Sequence, residues 1–184
     1  SARLEDQRDR GFLAVAFAED QVRILDYNRV IRDLNGLTVD AFLDKVRDQF
    51  RVTPAGPDQK PDCPGVLGMY LDGQWHRLQI KDPPLTTPAL ERLDINLLTD
   101  RLLSPVLGIG DPRTDPRIDF VGGARGLGEL EHRVTTDGWA VAFSLFPTAL
   151  GDMMAVADDG DKMPPKSTWF EPKLADGLIF HPLD

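Results

Sequence analysis

The stretch Val66-Leu67-Gly68-Met69-Tyr70-Leu71-Asp72-Gly73-Gln74-Trp75-His76-Arg77-Leu78-Gln79-Ile80 decides the fold. Two runs rich in β-formers flank Asp72-Gly73, and both of those residues tolerate the positive φ of a two-residue type I′ turn. The spacing therefore predicts an antiparallel hairpin, Val66 to Leu71 against Gln74 to Ile80.

Working outward, Thr38 has the chemistry of a helix N-cap, followed by a helix from about Val39 to Phe50 with Ala41, Phe42, Val46 and Phe50 on one stripe. Upstream, Gly11 to Ala18 reads as a buried strand, joined through a Glu19-Asp20 turn to an extended run from Val22 to Ile31, which predicts a second hairpin. Four prolines between Pro54 and Pro64 predict an irregular loop. Beyond Pro83-Pro84, Thr87-Pro88 starts a helix whose Leu93, Leu97, Leu98, Leu102 and Leu103 keep one amphipathic pattern as far as Ser104-Pro105. Then follow a strand at Ile118 to Val121, a helix at Leu127 to Val134, a strand at Trp139 to Phe146, a helix from Pro147 to about Ala157, and a strand at Leu178 to Phe180. The mixture lacks a β-α-β alternation, so it predicts one α+β unit over residues 1–184, with a mainly antiparallel sheet, hairpins and three to four packed helices.

Composition narrows the function classes. The chain has 184 residues, is 41% hydrophobic and 28% charged, and carries a formal net charge of -9. No apolar run approaches the roughly 20 residues of a membrane span. The negative balance, without a basic run, argues against a nucleic-acid partner. One cysteine, Cys63, forbids an intrachain disulfide and supplies no zinc cluster, and no secretory signal opens the chain, which together predict a cytoplasmic protein. Ser1 in place of Met predicts further residues upstream.

The candidate chemistry concentrates near the C-terminus, in Met163-Pro164-Pro165-Lys166-Ser167-Thr168-Trp169-Phe170-Glu171-Pro172-Lys173. Two prolines stiffen the segment, which predicts that Lys166, Ser167 and Thr168 are presented from an extended support to an anion. The motif is not a P-loop, because Pro165 lacks the N–H and the positive φ of the glycine that a P-loop places there. Trp169 and Phe170 either stack a base or pack as a linker. Gly122 to Gly128, with Arg125, is either an anion-holding strand-to-helix turn or a plain turn. Asn28 and Arg29 interrupt an apolar strand pattern, at an edge or beside a cleft. Asp94 either orients a ligand or answers a helix dipole. His76, His132 and His181 have no metal-binding spacing.

Four strings, ILDYNRVI, LDINLLTDRLLSPVLGI, IDFVGGARG and MPPKSTWFEPKLADGLI, together resemble one prokaryotic family, the domain of unknown function ten-fifteen. Its members are about twice this length, and their N-terminal half carries an Asp-Gly-His-His-Arg motif similar to that of ParB and sulfiredoxin-like nucleotide-binding domains. That motif is absent here, so the resemblance implies a C-terminal half. It also implies a nucleotide-dependent small-molecule kinase of the free L-serine type, using ATP or ADP with Mg²⁺. In that picture Asn28, Arg29, Arg125, Lys166, Ser167, Thr168 and Lys173 contact phosphate or substrate, and Glu171 orients a metal or hydroxyl. The partners implied are a small-molecule substrate, the protein's own N-terminal half and a second copy in a homodimer. The alternative is a non-catalytic module that senses a nucleotide or metabolite.

Overall fold

The computed structural model describes residues 13–56, 60–84, 88–173, 175 and 177–179. The chain divides into two compact units, residues 24–169 and residues 1–23 with 170–184.

The larger unit is built on a six-stranded sheet. Its strands are β2 (Tyr27–Ile31), β3 (Phe50–Pro54), β4 (Val66–Leu71), β5 (Gln74–Ile80), β6 (Ile118–Gly122) and β7 (Val141–Ser144), in the order β3-β5-β4-β7-β2-β6. Every ladder is antiparallel. A separate two-stranded sheet pairs β1 (Arg23–Leu25) with β8 (Trp169–Glu171). Five α-helices are described: α1 (Val39–Gln49), α2 (Ala89–Arg92), α3 (Asp94–Leu98), α4 (Leu127–Thr135) and α5 (Leu150–Asp158).

The predicted hairpin forms with the predicted bounds. Leu71 faces Gln74 across the turn, and Asp72 and Gly73 take φ of 48° and 76°. All six residues of β4 are buried because the sheet is covered on both faces. Leu67, Met69 and Leu71 point into the larger core, while Tyr70 points into a smaller one around Trp75, Trp139, Val121 and Leu130. Between them Gly68 leaves room for the Trp75 ring, since a Cβ there would lie 3.2 Å from it. Helix α1 also forms as read, with Thr38 Oγ1 accepting from Ala41 N at 3.3 Å and Phe42 and Val46 fully buried.

The N-terminal hairpin is a correction. Leu13 to Ala18 form no strand, and Leu13, Val15 and Phe17 are exposed; Gly11 and Phe12 lie outside the described residues. Both edges of β2 are already taken, by β6 and β7, so an apolar run upstream has no place beside it. Glu19–Gln21 is a short 3₁₀ turn, and Asp26 separates β1 from β2.

The long leucine helix is also divided. Leu93 is extended (φ −62°, ψ 133°), α3 begins at Asp94, and a π-helical turn follows at Thr99–Leu103. Asn96 Nδ2 donates to the Leu90 carbonyl at 2.7 Å, bridging the break, and a side chain inserted in this way is a known cause of helix interruption. Thr87 lies outside the described residues. The leucines nonetheless all point inward, as their spacing predicts: Leu93, Leu97, Leu98, Leu102 and Leu103 are buried. The last predicted strand is absent among the described residues, where 177–179 form turn and bend with Leu178 and Ile179 exposed; Phe180 lies outside them.

Candidate functional site

The proline-lysine segment does not run extended. Pro165 and Lys166 form a turn, and Lys166 takes a left-handed φ of 56°. Ser167 closes the turn by donating its hydroxyl to the Pro164 carbonyl at 2.7 Å, and its own carbonyl accepts from Thr148 Oγ1 at 3.3 Å. Two prolines restrict the chain before Lys166, but nothing in them sets the φ of the residue after them. The outcome is an exposed lysine on a tight turn whose serine is buried and internally bonded. Thr168 is half-buried beside it.

Arg29 holds this turn. Its guanidinium is 1% exposed, donates to the Lys166 carbonyl at 2.7 Å and to the Tyr27 carbonyl, and lies 4.9 Å from the Phe120 ring centre. Phe120 is its partner across the ladder. Burial pushes the group down to about 9, so it remains a cation at neutral pH. Its Nε is buried without a partner. Lys166 Nζ lies 5.8 Å from the centre of the Tyr27 ring, and the Trp169 ring packs on the same tyrosine at 5.4 Å.

Asn28 points to the other face of the sheet. Fully buried, it donates to the Asp26 carboxylate and accepts from Leu145 N at 3.0 Å, tying β2 to the chain leaving β7. The glycines of IDFVGGARG serve close approach. A Cβ on Gly122 would sit 2.4 Å from the Trp169 ring, and one on Gly123 would sit 2.2 Å from Asp26 Oδ1. Arg125 is exposed and paired with Glu129 at 3.3 Å. Three of the four family strings therefore converge on Tyr27, Arg29, Gly122, Lys166 and Trp169. Arg125 stands outside that convergence, and Glu171 and Lys173 belong to the smaller unit, Glu171 half-buried in β8 and Lys173 exposed.

Beside the turn lies a cavity of about 350 Å³. Tyr27, Thr148 and Ser167 line it together with Cys63, Gly65, Val66, Ile80, Arg92, Leu93, Asp94, Leu97, Leu145, Phe146 and Asp152. Asp94 accepts from Gly65 N at 2.7 Å, yet burial, reinforced by the charge of Asp152, pushes its carboxyl up to about 6. Asp152 carries no sequence signal of a site: it is one acidic residue in the first turn of a helix. Asp94 stands at the start of α3, where the helix-dipole and ligand readings share a position. Among the described residues no group of three His, Cys, Asp or Glu side chains suits a metal, and no helix is long and apolar enough to cross a membrane. His76 is half-buried, His132 lies 3.7 Å from Asp137, and His181 lies outside the described residues.

An antiparallel sheet with helices on both faces makes this an α+β fold, and a cavity of small-molecule size lies beside its lysine turn. The chain belongs to the family described as "Protein of unknown function (DUF1015)", whose model matches residues 2–96. No curated protein matches the sequence. Among solved structures, a conserved hypothetical protein from Pyrococcus furiosus aligns with 83% of this chain at 10% identity and a TM-score of 0.50, a likeness of fold. Free serine kinase in complex with AMP aligns with 83% at 10% identity and a TM-score of 0.49, and SbnI with C-terminal truncation from Staphylococcus aureus with 90% at 14% and 0.46. The chain covers 57%, 55% and 55% of those three structures respectively.

Proposed function

We propose that this chain is the C-terminal part of a nucleotide-dependent small-molecule kinase of the free-serine-kinase type. The observation that supports it is the Lys166 turn. An exposed ammonium is held in a fixed backbone geometry by a buried arginine, next to Tyr27 and Ser167, which line a cavity of about 350 Å³. Phosphoryl transfer asks little covalent chemistry of a protein and much positioning and charge neutralisation. Lys166 neutralises a donor phosphate at the turn beside that cavity. Arg29, sealed from solvent, acts through Lys166 rather than on the ligand. The donor P–O bond breaks, the acceptor hydroxyl oxygen takes the phosphoryl group, and its proton passes to a base that this reading assigns to the N-terminal half. Mg²⁺ would supply charge neutralisation at the phosphates; the described carboxylates form no dedicated cage for it, so no residue here is assigned to it.

The test is nucleotide consumption by the full-length protein, supplied with ATP or ADP, Mg²⁺ and a panel of amino acids headed by L-serine. Phosphorylated product, with nucleotide affinity reduced roughly tenfold or more in Lys166→Ala, supports the reading. Nucleotide bound without turnover points instead to a sensing module.

A further inference from the structure

The cavity beside the Lys166 turn has a chemistry of its own. Most of its wall is apolar, formed by Val66, Ile80, Leu93, Leu97, Leu145 and Phe146. Two carboxylates, Asp94 and Asp152, are set into the same lining. Asp94 accepts from the Gly65 N–H at 2.7 Å, a neutral donor that supplies no counter-charge. Arg92 also lines the cavity but is exposed at its rim, where solvent screens it.

A carboxylate withdrawn from water without a counter-charge costs free energy, and a ligand cation that supplies the counter-charge recovers it. A bare metal ion suits the cavity poorly: two carboxylates without a third His, Cys, Asp or Glu partner among the described residues leave its shell incomplete, and the apolar wall offers it nothing. An organic ammonium satisfies both parts of the lining. The cavity volume also falls within the roughly 300–1,000 Å³ of small-molecule sites.

We propose that this cavity binds a primary amine carried on an apolar body of arylalkyl size, its ammonium against Asp94 and Asp152 and its body against the Leu93, Leu145 and Phe146 wall. The site is independent of whether the protein turns over a nucleotide, and it is not matched to L-serine, whose short polar side chain leaves that wall unfilled.

The experiment is calorimetric titration of the protein with 2-phenylethylamine and its uncharged counterpart 2-phenylethanol, repeated on Asp94→Asn and Asp152→Asn. The expected result is saturable binding of the amine at least tenfold tighter than the alcohol, a loss of about tenfold in Asp94→Asn with the alcohol unaffected, and a smaller loss in Asp152→Asn. A thermal melt of each variant shows that the fold persists. Equal binding of amine and alcohol, unchanged amine binding in Asp94→Asn, or no amine binding overturns the proposal. So does displacement of the amine by an equal concentration of L-serine, which would make the cavity a polar acceptor site.

Discussion

The guanidinium of Arg29 donates at 2.7 Å to the backbone carbonyl of Lys166, which lies 137 residues further along the chain. One buried cation thereby joins the second strand of the fold to the turn that displays the lysine. Because it also donates to the Tyr27 carbonyl, its loss leaves two backbone acceptors unmet as well as a cavity. Arg29→Ala is expected to destabilise the protein by about 2–4 kcal/mol, read by chemical denaturation. Arg29→Lys keeps the charge but cannot reach both carbonyls with a planar fork, and should recover only part of the loss.

Lys166 separates function from architecture. Its side chain is exposed and its φ of 56° is one that glycine adopts without cost. Lys166→Gly should therefore melt at or above the wild-type temperature, and Lys166→Ala should change stability by no more than about 0.5–1 kcal/mol. Both should lose nucleotide affinity equally, since both remove the ammonium. A large drop in melting temperature for both, with binding intact, would assign the motif to architecture.

The glycines of the 122–128 segment are predicted to behave in opposite ways. Gly122→Ala and Gly123→Ala drive a Cβ to 2.4 Å from the Trp169 ring and 2.2 Å from Asp26 Oδ1, so each should cost more than about 2 kcal/mol. Gly128 lies in α4 with nothing within 4 Å of the added atom. Gly128→Ala should stabilise by about 0.5 kcal/mol, checked in the same denaturation series.

Asp94 makes a pH prediction with a definite sign. Its folded-state carboxyl is raised from 3.8 to about 6, so ionisation is costlier in the folded than in the unfolded protein. Its contribution to stability is fully present below pH 4 and is lost as pH rises through about 6. Asp94→Asn keeps an oxygen for the Gly65 N–H and removes the charge. Relative to wild type, the variant should gain about 1–3 kcal/mol between pH 4 and pH 8, measured as the difference between their stability-against-pH curves.

How much of this was legible depended on the range of the interaction. The Val66–Ile80 hairpin was readable because its turn demands two residues tolerant of positive φ, and both demand and supply lie within the same few residues. Thr38 announced α1 for the same reason, its hydroxyl capping an amide three residues away. Gly11 to Ala18 misled because a continuous apolar run describes a strand's capacity to be buried but names no partner, and β6 and β7 had already claimed β2. The leucine pattern predicted which side chains would be buried, but not the break at Leu93, which a side-chain bridge from Asn96 spans. In the candidate site, Lys166 stood out by composition, whereas Asp152 and the cavity left no mark in any single segment.

The α+β class, the central hairpin, the capped helix, the inward leucines and the exposure of Lys166 followed from the sequence, because local backbone chemistry and apolar periodicity act over a few residues. Only the tertiary structure decided that Arg29 is sealed behind the Lys166 turn, that Asn28 faces away from it, and that Asp94 and Asp152 share an apolar cavity. Those relations join residues from remote parts of the chain, and burial and charge acquire their values only when the chain has closed around them.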